Sequence, residues 1–307
     1  MRIILFNVGH GFCAFVKSES GATLLIDCGC SENFSPVKYI VENELDGVVP
    51  INGKYLTKMI VTHPHDDHIK DISRLIQLLP PYLLLRTKFK WEDVKTPNTD
   101  ESEYENLNEY AAWQESYSAV PVQAPDWGKV SIQTFKVPQL LVSGSNNSKA
   151  VNNSSYAVVV TYTGSAWVQK FLFGGDLEES GWKELLATNA AFRNAVAGVT
   201  FNFPSHHGHG SGYCGELFDA IGSKPHMNLI SVTDKDPHVD GNYSQQANGI
   251  HFSSDFSDLR KTLTTRTHGS IFIDVNETGY ATVYHRDLPD NVDEIPAYLR
   301  AILGSVK

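Results

Sequence analysis

Short alternating apolar runs predict that the chain begins with strands. The runs at residues 2–8, 14–17 and 22–28 are rich in Ile, Leu, Val and Phe and are separated by glycines, which is the pattern of successive strands joined by turns. Ser35 and Pro36 then mark the start of a helix, because a capping side chain precedes a proline at the first helical position and apolar residues follow at helical spacing. The amino-terminal segment therefore predicts a small sheet followed by a helix.

The rest of the chain repeats this order of strands followed by helices. Strands are predicted at 54–63, 129–137, 156–164, 167–176, 199–203, 227–232, 270–275 and 280–285, and helices at 69–79, 178–197, from 216, 256–263 and 296–303. An acidic segment at about residues 91–124 has the character of a partly helical insertion. Two successive halves of this kind predict an α/β fold with helices outside two packed sheets, in a single domain over residues 1–307.

Composition and charge narrow the function classes. A chain of 307 residues, 41% of them hydrophobic, can bury a large core. Its net charge of −10 argues against a broad basic face for duplex DNA but not against a local phosphate-binding pocket. No apolar run reaches the ~18 residues of a membrane span and no signal peptide is evident, so we expect a cytoplasmic protein without a membrane partner. The four cysteines form no CxxC pair and are expected to be buried free thiols.

The hexapeptide "HPHDDH" at residues 63–68 stands directly behind a predicted strand. A strand that ends in a loop, with a helix starting inside that loop, can turn imidazole and carboxylate groups toward one point. These are the ligands that suit Zn²⁺, Mn²⁺ or Fe²⁺. The alternative is a polar helix cap, but three histidines and two aspartates exceed what a cap needs. The segment therefore predicts a metal site.

Further candidate ligands follow two other apolar strands. Asp176 ends "FLFGGD", where two glycines permit close backbone approach, although such an aspartate can also cap the next helix. His206, His207 and His209 lie in "PSHHGHGSG", just after the strand predicted at 199–203. Three histidines in four residues favour a role at the metal site.

These segments resemble the metallo-β-lactamase superfamily of hydrolases. "HPHDDH" is similar to its metal motif, "GGD" to its metal-bridging aspartate and "SHHG" to its last histidine. Within the superfamily, "FNVGHGFCAFV", "LLIDCG", "NNSSYAVVVTY" and "THGSIFIDVNETGYATVY" resemble the hydrolase domain of the ComEC/Rec2 competence proteins. The resemblance covers nearly the whole chain outside residues 91–124 and implies a four-layer αββα sandwich.

The resemblance also implies two divalent metal ions, Zn or Mn by preference. One ion would be held by His63 and His65 and the other by Asp67, His68 and His207, with Asp176 bridging both. The two ions would share an activated hydroxide. Asp67 would orient that hydroxide, and His206 would touch a substrate oxygen or protonate the leaving group. The spacing leaves open which of the adjacent residues His206 and His207 is the ligand.

The chain departs from the usual pattern at the first metal. Many superfamily members supply one more histidine there, but none occurs between His68 and His206. Asn152 or Asn153 occupies the corresponding region, and an amide oxygen is a weaker and harder ligand than imidazole. The alternative for this asparagine pair is a polar turn.

Three other residues have weaker signals. His238 is expected either to line the pocket or to lie outside it, and His10 is expected either to reach the site or to face solvent. Asp27 is expected to hold the metal-motif loop through hydrogen bonds.

Three functions remain compatible with this sequence. The first is a phosphodiesterase or nuclease acting on DNA or on a small phosphodiester. The second is hydrolysis of an ester, lactone or thioester by the same metals. The third is a metal-bound interaction subunit of a multi-protein system, which would use the acidic insertion to bind a protein partner.

Overall fold

The computed structural model describes residues 1–88, 94, 101–118, 122–138, 148–233 and 238–292. Its strands, in chain order, are β1 (Arg2–Leu5), β2 (Ala14–Lys17), β3 (Thr23–Ile26), β4 (Leu56–Ile60), β5 (Pro81–Leu85), β6 (Val130–Phe135), β7 (Ala157–Thr163), β8 (Val168–Phe173), β9 (Phe201–Phe203), β10 (Met227–Ile230), β11 (Ile250–His251), β12 (Leu259–Arg260), β13 (Thr262–Thr264), β14 (Ser270–Val275) and β15 (Ala281–Arg286). Its α-helices are α1 (Pro36–Asn43), α2 (Asp66–Ile69), α3 (Ile72–Leu78), α4 (Glu101–Gln114), α5 (Ser148–Asn152), α6 (Glu179–Thr188), α7 (Ala190–Val196), α8 (Gly215–Ile221), α9 (Asn242–Gln245) and α10 (Thr265–His268).

Two large sheets organise these strands. One has seven strands in the order β15-β14-β1-β2-β3-β4-β5, and the other has six in the order β13-β10-β9-β8-β7-β6. Within the first sheet β3, β4 and β5 run parallel. Within the second, β8, β9, β10 and β13 run parallel. Parallel strands place their carboxyl ends at the same edge, which is where an open α/β sheet builds its binding sites.

The side chains of each strand alternate between two cores. Ile3 and Leu5 point into the apolar layer between the sheets, where they share a cluster with Phe171 and Phe201 of the second sheet. Ile4, one residue along, joins the cluster between the first sheet and helices α1, α3 and α4. A third cluster lies between the second sheet and helices α6, α7 and α8. The period-2 alternation of both sheets therefore gives four layers, and the predicted αββα sandwich is confirmed.

Some elements differ from the sequence prediction. The helix predicted at 256–263 is wrong: Leu259–Arg260 pairs with Ile250–His251, and Thr262–Thr264 joins the edge of the second sheet. Apolar residues at helical spacing misled the prediction because Leu263 alone is buried, while Phe256 and Leu259 are exposed. The strand Pro81–Leu85 is absent from the sequence prediction, because two prolines in a row after the helix at 69–79 favour a turn. As the first residue of an edge strand, proline is tolerated.

Other differences are matters of length. The helix predicted at 178–197 consists of the two helices α6 and α7, and Asn189 caps the second by accepting a hydrogen bond from the Phe192 N–H. The helix predicted at 296–303 lies outside the described residues. No helix in the described part of the chain has the length and apolar character needed to cross a bilayer.

The described part of the acidic segment is mostly helix α4. Tyr110 is 1% exposed and packs with Leu107 in the core beside the first sheet, so this part of α4 contributes an aromatic ring to the core. The amide of Asn106 donates to Asp66 Oδ1 over 2.7 Å, which ties α4 to the helix that starts inside the "HPHDDH" segment.

Candidate metal centre

The "HPHDDH" segment is anchored by backbone hydrogen bonds from neighbouring turns. The N–H of Phe12 donates to the carbonyl of Asp67 over 3.1 Å, and the N–H of Cys28 donates to the carbonyl of His68 over 2.8 Å. Gly29 packs against the same turn: a Cβ on Gly29 would lie 2.4 Å from the Asp67 carbonyl oxygen, so only glycine fits without moving the loop. Two turns of the first sheet therefore fix the position of the predicted ligands.

All six predicted ligands meet at the edge where the parallel strands end. They form two groups whose nitrogen and oxygen atoms lie within 4.8 Å of one another: His63, His65 and Asp176, and Asp67, His68, Asp176 and His207. The His63 Nε2 lies 3.7 Å from Asp176 Oδ2, and the His68 Nε2 lies 3.1 Å from Asp176 Oδ1. Asp176 is thus common to both groups, which is the arrangement expected of a bridging carboxylate.

The chemistry of the cluster fits divalent metal ions. The buried amide oxygen of Asn152 has no hydrogen-bond partner among the described residues, and His68 Nε2 and Asp176 Oδ1, which are also buried, have only each other, at 3.1 Å. Buried polar atoms are normally satisfied, and an unpaired one costs about 1–3 kcal/mol. Cations coordinated by these nitrogen and oxygen atoms would satisfy them.

Asp27 holds His68 from behind, as predicted. Its backbone has φ 57°, and one carboxylate oxygen lies 2.7 Å from His68 Nδ1. The same carboxylate accepts hydrogen bonds from the N–H and the hydroxyl of Thr62, both over 2.7 Å. A carboxylate on the far nitrogen of a ligand histidine fixes the tautomer and orientation of the ring.

His63 is held by hydroxyl groups instead. Its Nδ1 lies 3.2 Å from Thr62 Oγ1 and 3.2 Å from Ser155 Oγ. Ser155 Oγ also accepts a hydrogen bond from the N–H of Asp176 over 3.0 Å, and so links a predicted ligand to the shared carboxylate. Ser155 was not predicted as a site residue, although it belongs to the "NNSS" segment that the sequence singles out.

The two asparagines of that segment have different positions. Asn152 is 3% exposed and lines the metal-cluster cavity of about 260 Å³. Asn153 accepts a hydrogen bond from the N–H of Glu178 and donates to Ser180, which holds the start of α6 rather than the cavity. Of the predicted alternatives, only Asn152 is brought to the cluster.

His206 and His207 lie on a turn with unusual backbone angles. Their φ values are 50° and 53°, in the left-handed region that non-glycine residues rarely adopt. His207 Nε2 lies 3.0 Å from Asp67 Oδ2, and its Nδ1 lies 3.2 Å from the Ser231 carbonyl oxygen. His206 lines the cavity but belongs to neither ligand group. The geometry agrees with His207 as the ligand.

Ser211 connects His206 with His209, which also lines the cavity. The Ser211 N–H donates to His209 Nδ1 over 3.1 Å, so the hydrogen of the neutral His209 ring is on Nε2. The Ser211 hydroxyl lies 3.0 Å from the same nitrogen and 2.7 Å from His206 Nδ1. The Ser211 hydroxyl therefore bridges the two rings through their Nδ1 atoms and holds His206 by that nitrogen. The only sequence feature that points to Ser211 is its place in a glycine-rich turn.

The remaining candidates lie at the margin. His10 has a 58% exposed side chain, yet its Nε2 lies 3.7 Å from Asp67 Oδ2 and its ring centroid lies 4.9 Å from that of His207. His10 therefore does both: its ring reaches the site, and much of its side chain is exposed to solvent. His238 does not line the metal-cluster cavity; its ring packs edge-on against His209 at 6.4 Å.

Mutual electrostatics set the charge of the cluster. Burial alone would raise the pKa of Asp176, but the imidazoles of His68 and His207 outweigh it and hold that pKa well below the usual range. Burial alone would lower the pKa of His207, but Asp176 and Asp67 outweigh it and raise that pKa. For His63, burial dominates and lowers the pKa well below its ordinary value. The cluster therefore presents ionised carboxylates and a neutral His63 ring, which are forms that bind a metal, whereas the raised pKa of His207 means that this ring must give up a proton when it binds one.

The amino-terminal part of the chain matches a known protein family. Residues 6–85 match the family model of the metallo-beta-lactamase superfamily. This match supports the superfamily assignment. The matched range contains the entire "HPHDDH" segment and Asp27. No curated protein matches the chain, and the ComEC/Rec2 branch stays a prediction.

Solved structures resemble the chain at low sequence identity. The Zn²⁺-bound PqqB of Methylobacterium extorquens is 10% identical, with 90% of this chain and 100% of that chain covered and a TM-score of 0.45. A long form RNase Z from yeast is 11% identical, with 88% and 41% covered and a TM-score of 0.39. An archaeal metallo-beta-lactamase superfamily protein from Sulfolobus tokodaii is 20% identical, with 57% of this chain covered and a TM-score of 0.32. The chain spans 62% of that archaeal protein's length.

Proposed function

We propose that this protein is a metal-dependent phosphodiesterase. The observation that carries the proposal is the carboxylate of Asp176, which belongs to both ligand groups and so places two potential cation positions side by side. A pair of divalent ions, when bound, lowers the pKa of a water and stabilises negative charge on a phosphoryl oxygen during in-line displacement. Zn²⁺ and Mn²⁺ are the ions that suit this mixture of imidazole and carboxylate ligands.

The chain's own residues divide the remaining work. Asp67 belongs to the second ligand group and lines the cavity. Its carboxylate is positioned by His207 Nε2, which lies 3.0 Å from Asp67 Oδ2. His209 presents an Nε2–H that can donate to a phosphoryl oxygen. His206, held through Nδ1 by Ser211, can transfer a proton from Nε2 to the leaving oxygen.

The size and charge of the protein favour a small substrate. The metal-cluster cavity of about 260 Å³ accommodates a phosphoryl group with its ester oxygens. A net charge of −10 opposes the approach of a long polyanion. A small phosphodiester is therefore the preferred substrate class, and DNA is the second. The cytoplasmic location and the protein partner of the acidic segment stay predictions.

An assay panel tests this function. The protein would be loaded with Mn²⁺, Zn²⁺ or Mg²⁺ and incubated with bis-p-nitrophenyl phosphate, single- and double-stranded DNA, cyclic nucleotides and an aryl ester. We expect phosphodiester cleavage, and we expect Asp67→Ala to lower it by about 10²-fold or more, the typical effect of removing a group that acts on the reacting atoms. Asp219→Ala, which removes an exposed carboxylate from α8, is the matched control and should retain activity.

Each other outcome would point to a different function. Turnover of the aryl ester alone would replace the proposal with an acyl hydrolase. A folded, metal-loaded protein that turns over no member of the panel would favour the interaction subunit.

A further inference from the structure

A second cavity adjoins the metal cluster at His10. The imidazole of His10 lines both cavities. The second cavity has a volume of about 530 Å³, and beside His10 its lining includes Cys30, Ser31, Glu32, Asn33, Lys70 and Thr233. Because His10 Nε2 lies only 3.7 Å from Asp67 Oδ2, a molecule whose reacting group lies at the metal cluster can extend past His10 into this space. Its size is that of a site for a small organic group.

The lining is polar but close to neutral in charge. Lys70 and Glu32 contribute one charge of each sign, and both side chains are exposed. Burial raises the pKa of the Cys30 thiol to about 12, so this residue is uncharged near neutral pH. The side chains of Ser31, Asn33 and Thr233 add uncharged hydrogen-bonding groups.

One wall of the second cavity is built on a fixed turn. The N–H of Ser31 donates to the Phe34 carbonyl and the Ser31 hydroxyl accepts from the Phe34 N–H, both over 3.1 Å. The backbone carbonyl of Asn33 accepts a hydrogen bond from the Asn291 N–H over 2.9 Å. The backbone of Asn33 is therefore held in place, while its exposed side chain is available to a ligand.

This chemistry argues against three kinds of ligand. A polyphosphate would need several cations, but Lys70 is the only lysine or arginine among the described lining residues. A quaternary ammonium group prefers aromatic faces, and the only ring among those same residues is the imidazole of His10. A long nucleic acid is opposed by the net charge of −10.

We propose that the second cavity binds the nucleoside of a small nucleotide phosphodiester whose phosphoryl group lies at the metal cluster. Sugar hydroxyls and the edges of a base both donate and accept hydrogen bonds, as do the side-chain amide of Asn33 and the hydroxyls of Ser31 and Thr233. Lys70 adds a donor and Glu32 an acceptor. This inference rests on the proposed function and narrows its substrate class to nucleotides.

Two chromogenic esters test the inference. Thymidine 5′-(p-nitrophenyl phosphate) carries a nucleoside, whereas bis-p-nitrophenyl phosphate carries none. We expect Asn33→Ala and Lys70→Ala, in the metal-loaded full-length chain, each to raise KM for the thymidine ester about 3- to 10-fold, the effect of losing one hydrogen bond. The kcat should stay the same, and KM for bis-p-nitrophenyl phosphate should change less than twofold. Lys261→Ala, which removes another exposed lysine, is the control and should change neither KM.

The outcomes separate this inference from the proposed function. An unchanged KM for the thymidine ester, or an equal rise for both esters, would overturn the nucleoside site while leaving the phosphodiesterase intact. If neither ester nor any other phosphodiester of the assay panel is hydrolysed, the proposed function fails. Binding of thymidine 5′-monophosphate to the metal-loaded chain, measured by calorimetry, then decides: binding weakened about 3- to 10-fold by Asn33→Ala supports the site, and no binding overturns it.

Discussion

The two ligand groups share Asp176 but differ in how their histidines are supported. In the group of Asp67, His68, Asp176 and His207, the carboxylate of Asp27 lies 2.7 Å from the far nitrogen of His68. In the group of His63, His65 and Asp176, the partners of the far nitrogen of His63 among the described residues are two hydroxyl oxygens, each at 3.2 Å. A carboxylate orients an imidazole and raises its basicity more strongly than a neutral hydroxyl does.

The groups also differ in the number of their ligands. The first group, His63, His65 and Asp176, has three ligand residues. The second group, Asp67, His68, Asp176 and His207, has four. Asn152, whose buried amide oxygen has no hydrogen-bond partner among the described residues, lines the same cavity and is the residue available to complete the first group. Since an amide is a weak ligand, we expect the second group to bind its metal more tightly than the first.

The largest expected effect follows from removing the residue that both groups share. Asp176→Ala should lose metal from both positions, because each group would lose an ionised carboxylate. Its Oδ2 lies within 3.8 Å of ring nitrogens of His63 and His207, and its Oδ1 lies 3.1 Å from His68 Nε2. Elemental analysis of protein purified without chelator should find one to two transition-metal ions per chain (an estimate from the two ligand groups) and almost none in the variant. Loss from one position only would show that Asp176 is not shared, and Asp219→Ala should keep the full content.

The next effect separates turnover from metal binding. His206→Ala should keep the metal and lower turnover by about 10²-fold, because His206 lines the cavity outside both groups. His207→Ala should lose metal from the second group. The reverse result, with metal lost from His206→Ala and retained by His207→Ala, would exchange their roles. The exposed His251 offers a control, since His251→Ala should change neither property.

A smaller effect is expected from the residue behind His68. Asp27→Asn retains a side chain that tolerates the positive φ of this position but lacks the ionised oxygen that faces His68 Nδ1. We expect the affinity of the tighter position to fall about 10- to 100-fold. Competition with a chelator measures the metal affinities of both positions in one titration. A fall confined to the weaker position would contradict the assignment of Asp27 to the second group.

The smallest effect should come from the corresponding residue of the first group. Ser155→Ala removes one of the two hydroxyls that contact His63. It should lower the metal affinity of the first group by only about 3- to 10-fold. Ser154→Ala is a matched control, because the Ser154 hydroxyl donates to the Val151 carbonyl and does not contact the cluster. If Ser155→Ala lowers the metal affinity of its group as strongly as Asp27→Asn lowers that of the other group, the two ligand histidines do not differ in how strongly they are held.

Part of this protein can be read directly from local sequence. The alternation of apolar residues gives the two sheets and their two-sided burial, because a strand exposes successive side chains to opposite layers. The ligand residues are equally local, since each follows an apolar strand that ends at the same edge of a sheet. Their residue types carry the chemistry wherever the fold places them.

Only the tertiary structure decides which of two neighbouring residues faces the site. Asn152 rather than Asn153 lines the cavity because Asn153 is engaged with the start of α6, about 25 residues further along the chain. His207 rather than His206 meets Asp67 because the turn adopts positive φ angles that no spacing rule predicts.

The same holds for the residues that support the ligands and for the second cavity. Ser155 contacts a histidine 92 positions earlier in the chain, and the lining of the second cavity joins residues 8–10 with residue 233. Local patterns cannot report such contacts, because they arise from packing between elements that are distant in sequence. The helix wrongly predicted at 256–263 has a partly similar cause: Thr262–Thr264 pairs with the distant strand β10 and Leu259–Arg260 with the nearby Ile250–His251, and this pairing outweighed a weak helical preference.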